Sequence, residues 1–196
     1  MAKDNFLVTG VVKINETVVF DKAIDVLSKG GIIIYPTETS YGMGVDASNK
    51  KAMKALYTTK KMSQEKKISV ACANTEMVET NFKLNEAARK LLMTFLPGPL
   101  TLICDGKSFR IPDDIFVIAL VKKFGKPITA TSANISGEDD IYSIDKIRST
   151  LDGKVDLIID AGLLRKNKPS TVFDTNSMKV LRKGPITEEE IMNALR

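Results

Sequence analysis

Apolar residues along this chain change spacing repeatedly, from helical recurrence to short unbroken runs and back. A stretch from about Asp21 to Lys29 has helical spacing and ends at Gly30-Gly31, and the run "IIIY" after it is short enough to read as a buried strand. Ala52, Met53, Leu56 and Tyr57 recur at helical spacing behind Ser48, which is placed to cap the first turn. "ISVAC" reads as a strand. Asn85 caps a helix carrying Ala88, Leu91, Leu92 and Phe95, and "LPGP" stops that helix before the strand "LTLIC". Further on, "IFVIALVKKFG" is a helix closed by Gly125, "ITAT" a strand, Ser143 to about Leu151 a helix, and "DLIID", "STVFD" and "KVLRK" three strands. Thr187 and Glu190 have the spacing of a capping box that opens a terminal helix. Strands alternating with helices predict an α/β sheet with helices packed on it, and the close spacing of the last two strands predicts that part of it is antiparallel. No repeat or flexible linker divides the sequence, so residues 1–196 are expected to form one domain.

Composition narrows the class. The 196 residues are 43% hydrophobic and 27% charged, enough for a sizeable core. Apolar runs stop well short of the roughly 20 residues a membrane span needs, and "MAKDNF" lacks the apolar stretch of a secretory leader, so a cytoplasmic protein with no membrane partner is expected. Cys72 and Cys104 form no CxxC pair and fit core strands better than a disulfide or a structural zinc site. The absence of histidine removes Ser-His-Asp and Cys-His nucleophiles and His-bearing metal centres together. Chemistry here must therefore rest on positioning, charge stabilisation or carboxylates. A net charge of +5 favours anionic ligands but is mild for a nucleic-acid binder.

Ordinary nucleotide motifs are missing. "GMGVDA" from Gly42 fits G-x-G-x-x-G/A, yet six residues separate it from the preceding strand and no acidic residue follows at the expected distance. "FGKPIT" has proline after its lysine and is no phosphate loop. Instead, hydroxyl-rich clusters adjoin strands: "PTETSYG", "TSANISG" and "PSTVFD". Each alone serves equally well as a turn or a cap, but three of them beyond strand ends suggest a polar pocket. Arg110 and Arg182 lie near strand ends, where a planar guanidinium is either solvated or grips a carboxylate or phosphate. "TTKKMSQEKK" reads by itself as a wet, charged surface following a helix.

Together, "PTETSYGMG", the lysines after Tyr57, "LPGPLTLI", "FRIP", "ATSANISG", "PSTVFD" and "LRKG" occur in the order seen in the YrdC/TsaC family, and from about Gly30 to Gly184 the chain resembles these threonylcarbamoyl-AMP synthases. The resemblance implies a twisted, mixed parallel and antiparallel sheet flanked by helices, with a large basic concave cavity, and no added C-terminal domain of the kind some longer relatives carry. It implies a reaction of L-threonine, bicarbonate and ATP, with Mg²⁺ but no metal ligand from protein side chains. The products would be L-threonylcarbamoyladenylate and pyrophosphate, the adenylate passing to a tRNA threonylcarbamoyl-transferase complex that makes threonylcarbamoyladenosine at tRNA position 37. The family's K-x-R and S-x-N tetrad falls on Lys60, position 62, Ser132 and Asn134, which implies catalytic roles for Lys60, Ser132 and Asn134. By the same match Thr39 and Arg110 would hold threonine, Arg110 by its carboxylate. Lys60, Lys66, Thr131, Ser132, Asn134, Ser170 and Arg182 would contact ATP, and Tyr41 would line the pocket.

Four features depart from the family pattern. Met62 stands for the usual arginine, Lys67 for a proline and Ala71 for a histidine, and "DGKS" is a short link between "LTLIC" and "FRIP". Lys61 and Lys67 are the cations near enough in sequence to replace the missing guanidinium. Two further readings stand beside the enzyme: a tRNA- or double-stranded-RNA-binding module of the same fold with weakened or lost adenylation, and a small-molecule sensor.

Overall fold

The computed structural model describes residues 8–196; "MAKDNF" lies outside them. Eleven strands and seven helices occur among the described residues. The strands form two mixed sheets rather than the one expected. The first runs in the order β1 (Gly10–Lys13), β9 (Leu157–Asp160), β2 (Ile33–Pro36), β3 (Tyr41–Gly44), β8 (Thr131–Ser132). The second runs β11 (Lys179–Arg182), β10 (Thr171–Asp174), β5 (Leu100–Cys104), β6 (Lys107–Arg110), β4 (Val70–Ala71), β7 (Ile128–Thr129).

The split has a local cause. "ITAT" does not continue as one strand: β7 pairs antiparallel with β4, β8 pairs antiparallel with β3, and Ala130 between them donates its N–H to Ser69 O at 2.7 Å. One short segment thus belongs to both sheets and turns the corner between them, and Thr129 N donating to Val45 O at 3.0 Å ties the corner from the other side.

Helices α1 (Val19–Ser28), α4 (Glu86–Phe95), α5 (Ile115–Phe124), α6 (Ile144–Leu151) and α7 (Glu188–Leu195) fall where the periodicity puts them, and Asn85, Ser143, Gly125 and the Thr187/Glu190 box close their ends as expected. Helix α2 (Lys50–Thr59) is capped by Asn49, not Ser48: Asn49 Oδ1 accepts from the N–H groups of Lys51 and Ala52, while Ser48 Oγ donates to Asp46 at 2.6 Å. Helix α3 (Thr75–Asn81), with β1, β3 and β6, extends the sequence reading. The final strands pair antiparallel, as their spacing requires.

Two layers of apolar packing cover the first sheet. One centres on Leu27, Tyr35, Leu120, Val121 and Ile159 beneath α1 and α5, and the other on Ile34, Met43, Leu56, Ile147 and Leu151 beneath α2 and α6. A third core, with Leu91, Leu92, Leu102, Phe109, Phe173 and Ile191, joins α4 and α7 to the second sheet. Cys72 and Cys104 are buried free thiols in this third core. The glycines of "GMGVDA" have a packing reason: a Cβ at Gly42 or Gly44 would lie 2.9 or 2.8 Å from the Tyr35 ring. "DGKS" becomes a tight hairpin between β5 and β6, with Asp105 and Gly106 both left-handed, the geometry of a two-residue turn that follows strand twist. Among the described residues no helix is long and apolar enough to cross a membrane.

Gly184 admits the chain past β10 at very close range; a Cβ there would sit 2.4 Å from Thr171 N and 2.5 Å from Pro169 O. Because the obstacle is backbone, Gly184→Ala is expected to lower unfolding free energy by roughly 1–3 kcal/mol. Denaturant unfolding measures this, and an unmoved midpoint would mean the 169–171 backbone yields freely.

Candidate active site

The hydroxyl clusters meet where the two sheets turn apart. After β2 the chain makes a tight turn set by Thr37, whose Oγ1 accepts from the N–H groups of Thr39 and Ser40 at 3.2 Å and donates to Ser40 O at 2.7 Å. From the segment joining β9 to β10, Asn167 Nδ2 donates to Glu38 O at 2.7 Å and fixes the turn from its other side. Tyr41 comes next, buried, its hydroxyl donating to Gly162 O at 2.9 Å and accepting from Ala161 N–H at 3.0 Å.

Facing this turn, Arg110 ends β6, in register with Ala71 of β4. Its Nη2 donates to Glu38 Oε1, and the two side chains are only 11% and 21% exposed. Glu38 Oε2 and Arg110 Nε are buried without a hydrogen-bond partner. Arg182, ending β11, donates from Nε to Ser170 O and from Nη2 to Ser170 Oγ, both at 3.0 Å, and Ser170 Oγ lies 2.8 Å from Thr101 Oγ1. Burial first, and then the like charge of Arg110, press the Arg182 pKa below its ordinary value, with Asp140 opposing. The two guanidiniums thus sense each other, an arrangement that an anionic ligand relieves.

Lys60 caps the C-terminus of α2 and is 2% exposed. Its Nζ donates to Ser132 O at 2.5 Å, Asn134 O at 2.8 Å and Asn134 Oδ1 at 3.0 Å, and its own carbonyl accepts from Ser136 N–H at 2.8 Å. Asn134 Oδ1 also accepts from Ser132 Oγ at 2.8 Å, and its Nδ2 donates to Glu138 O. Desolvation pushes the Lys60 pKa down to about 8, with Asp140 opposing.

A cavity of about 250 Å³ opens between these groups. Of the residues singled out in the sequence, Thr39, Tyr41, Arg110, Thr131, Ser132, Ser170 and Arg182 line it. Lys60 and Asn134 lie behind its wall, as partners of the Ser132 segment. Lys66 stays outside the lining, exposed, with Nζ 3.4 Å from Ser136 Oγ. Position 62 does face the cavity, as methionine. Lys67 is in the lining and Lys61 is not; Lys61 takes a left-handed backbone (φ 50°) and is exposed. Sequence reasoning missed Glu38 and Asp140, the two carboxylates of the lining, and Thr101. Glu38 lies inside the hydroxyl-rich "PTETSYG", whose composition points to anions rather than to a carboxylate, and Asp140 has no local signal. With Arg110, Arg182 and Lys67 opposed by Glu38 and Asp140, the lining carries both signs of charge.

A family model for Sua5/YciO/YrdC, described as telomere recombination, matches residues 25–184. The chain belongs to the Sua5/YciO/YrdC family. A Methanocaldococcus jannaschii member, provisionally named as a threonylcarbamoyl-AMP synthase, is 32% identical over 190 residues, covering 87% of this chain and 89% of its own. The threonylcarbamoyl-AMP synthase of Bacillus subtilis is 31% identical over 188 residues; this chain spans 54% of that longer protein. Among solved structures, P. abyssi Sua5 complexed with L-threonine superposes with a TM-score of 0.83 at 29% identity, over 96% of this chain and 60% of Sua5. E. coli YciO shares the fold, with a TM-score of 0.81 at 24% identity, over 94% of this chain and 98% of YciO.

In this Sua5/YciO/YrdC chain, Lys60→Met is expected to remove about 1–3 kcal/mol by leaving buried acceptors unpaired. The pH dependence has a definite sign. The folded pKa of about 8 lies below the ordinary 10.5, so between these values the unfolded chain holds more protons and this group makes stability rise with pH. Wild-type stability measured against Lys60→Met should therefore gain between pH 8 and 10.5; a flat difference would place the Lys60 pKa near its ordinary value.

Proposed function

We propose that this chain is an L-threonylcarbamoyladenylate synthase: L-threonine, bicarbonate and ATP give L-threonylcarbamoyladenylate, pyrophosphate and water. The observation that carries the reading is convergence on one cavity: Arg110 and Thr39, with Ser170, Arg182, Thr131 and Ser132 from other strand ends, all line about 250 Å³. The relatives' names and the threonine complex of P. abyssi Sua5 support the same assignment.

In this reading Arg110 grips the threonine carboxylate, its planar fork matching a carboxylate's two oxygens, and Thr39 lies beside the amino acid. Ser170, Arg182, Thr131 and Ser132 receive the nucleotide phosphates. Threonine carbamate is already an oxyanion and pyrophosphate a competent leaving group once its charge is neutralised, so no histidine is required. The protein holds nucleophile and α-phosphorus in line and places positive charge where the leaving group gathers negative charge. Lys60 acts as a positioning residue through its bonds to Ser132 and Asn134, and Lys66 attracts the polyphosphate from outside the lining.

Among the described residues no group of three or more His, Cys, Asp or Glu side chains converges. Mg²⁺ commonly binds through substrate phosphates, water and one or two carboxylates; the resemblance gives it no side-chain ligand, and Asp140, the cavity carboxylate not engaged with Arg110, is the one side chain of the lining that would add to its hold. The ion would neutralise phosphate charge. The adenylate would pass to a tRNA threonylcarbamoyl-transferase complex, and the cytoplasm is the compartment this chemistry implies. Convergence of these groups in one concavity favours a small molecule over an RNA backbone, which asks for dispersed phosphate contacts.

Pyrophosphate release should require ATP, L-threonine and bicarbonate together; release unaffected by omitting threonine would overturn the reading. Lys67 is the lining cation available to replace the arginine missing at position 62; its ammonium rests against Gly106 of the β5–β6 hairpin and would swing from there to the phosphates. Lys67→Ala is expected to reduce kcat/KM roughly 10- to 100-fold, with Lys61→Ala within about twofold of wild type on the same scale. Equal effects of the two substitutions would remove the assignment.

A further inference from the structure

Glu38 is a carboxylate that the proposed chemistry leaves without a part. It lines the cavity, it touches the guanidinium expected to take a substrate carboxylate, and its backbone is held from both sides by the Thr37 turn and by Asn167. One carboxylate oxygen is spent on Arg110 Nη2 while the other has no partner. Asp114 is near enough that Glu38 contributes to raising its pKa, after its own burial, so two carboxylates share the neighbourhood of Arg110.

A ligand bearing only a carboxylate would meet Glu38 and Asp114 beside Arg110, with Arg182 alone adding to its attraction. Like charges repel more strongly in a part-buried setting than in water. A free α-amino acid carries its compensation with it, an ammonium one carbon away from the carboxylate. Arg110 and Glu38 in contact present the opposite pair, a cation beside an anion.

We propose that Glu38 binds the α-ammonium of the substrate, so that Arg110 and Glu38 together read the zwitterion of a free α-amino acid and reject acids without an unblocked amine. This deepens the threonine reading above and rests on it. It also gives the amino group a direction of travel. When R–NH₃⁺ and HCO₃⁻ give R–NH–COO⁻, water and H⁺, the nitrogen's electron pair forms the new N–C bond, one bicarbonate oxygen leaves as water, and one proton goes to solvent. The group beside Glu38 changes from cation to anion. Glu38 then repels what it had held, towards Arg182 and the phosphates.

Equilibrium binding of L-threonine and of 3-hydroxybutyrate, which keeps the carboxylate and hydroxyl but lacks the amine, tests this in wild type and Glu38→Gln, with ATP binding as the control for fold. Wild type should bind threonine at least tenfold more tightly than 3-hydroxybutyrate. Glu38→Gln should bind threonine at least tenfold more weakly, bind 3-hydroxybutyrate as well as or better than wild type, and keep ATP affinity within about twofold. If the variant loses both acids equally, Glu38 only props Arg110 and the proposal falls; unchanged threonine affinity sinks it too. Should the variant fail to bind ATP, wild-type discrimination decides, and a ratio near one overturns the proposal. Wild type that binds ATP but no threonine contradicts the synthase reading itself, separately from the role of Glu38.

Discussion

A single buried ammonium organises one wall of the cavity. Lys60 leaves the end of α2, enters the space behind β8, and gives its three protons to three oxygens of Ser132 and Asn134. Desolvating that charge is costly, which its lowered pKa records. The cost is offset only while all three acceptors are in place, so the segment 132–134 has few alternative conformations open to it. Thr131 and Ser132 face the cavity because the chain through Asn134 is fastened from behind.

The opposite wall obeys the same logic with guanidiniums. Arg182 is braced by Ser170, itself in contact with Thr101, and Arg110 is braced by Glu38. Each cation sits at the end of a strand, so its position is set by sheet register rather than by loop conformation. Arg110 ends β6, Arg182 ends β11, and β10 with β5 separates the two strands. The sheet corner at Ala130 then swings Thr131 and Ser132 of the first sheet towards these cations of the second.

Much of the helical frame was legible because helix signals are local: an Asn, Ser or Thr cap, an apolar stripe and a stop lie within one short segment, as at Asn85, Ser143 and Thr187. Even so, adjacent polar residues compete, and Asn49 took the cap assigned to Ser48 because Asp46 engages the serine hydroxyl. The runs "ISVAC" and "ITAT" announce β4 and the β7–β8 segment as strands, but each ladder is only two residues long and the break between β7 and β8 is set by distant partners, which no local pattern shows. The division into two sheets depends on Ala130 bonding to Ser69, far earlier in the chain. Hydroxyl clusters and terminal arginines pointed to the cavity because their residue types suit anions. Glu38 was overlooked for the complementary reason, since a carboxylate in an anion pocket makes sense only beside the cation it meets. Lys60 showed its importance but not its mode of action: sequence order gives its neighbour Met62, whereas burial decides that its ammonium turns to Asn134.

In the proposed reaction one cavity joins threonine, carbon from bicarbonate and the adenylyl group of ATP. Mass analysis of the adenylate formed from ¹³C-bicarbonate, L-threonine and ATP tests it most directly. The predicted product is L-threonylcarbamoyladenylate carrying one ¹³C, with pyrophosphate released in equal amount. An unlabelled threonyl adenylate, or ADP and phosphate as the only nucleotide products, would contradict it.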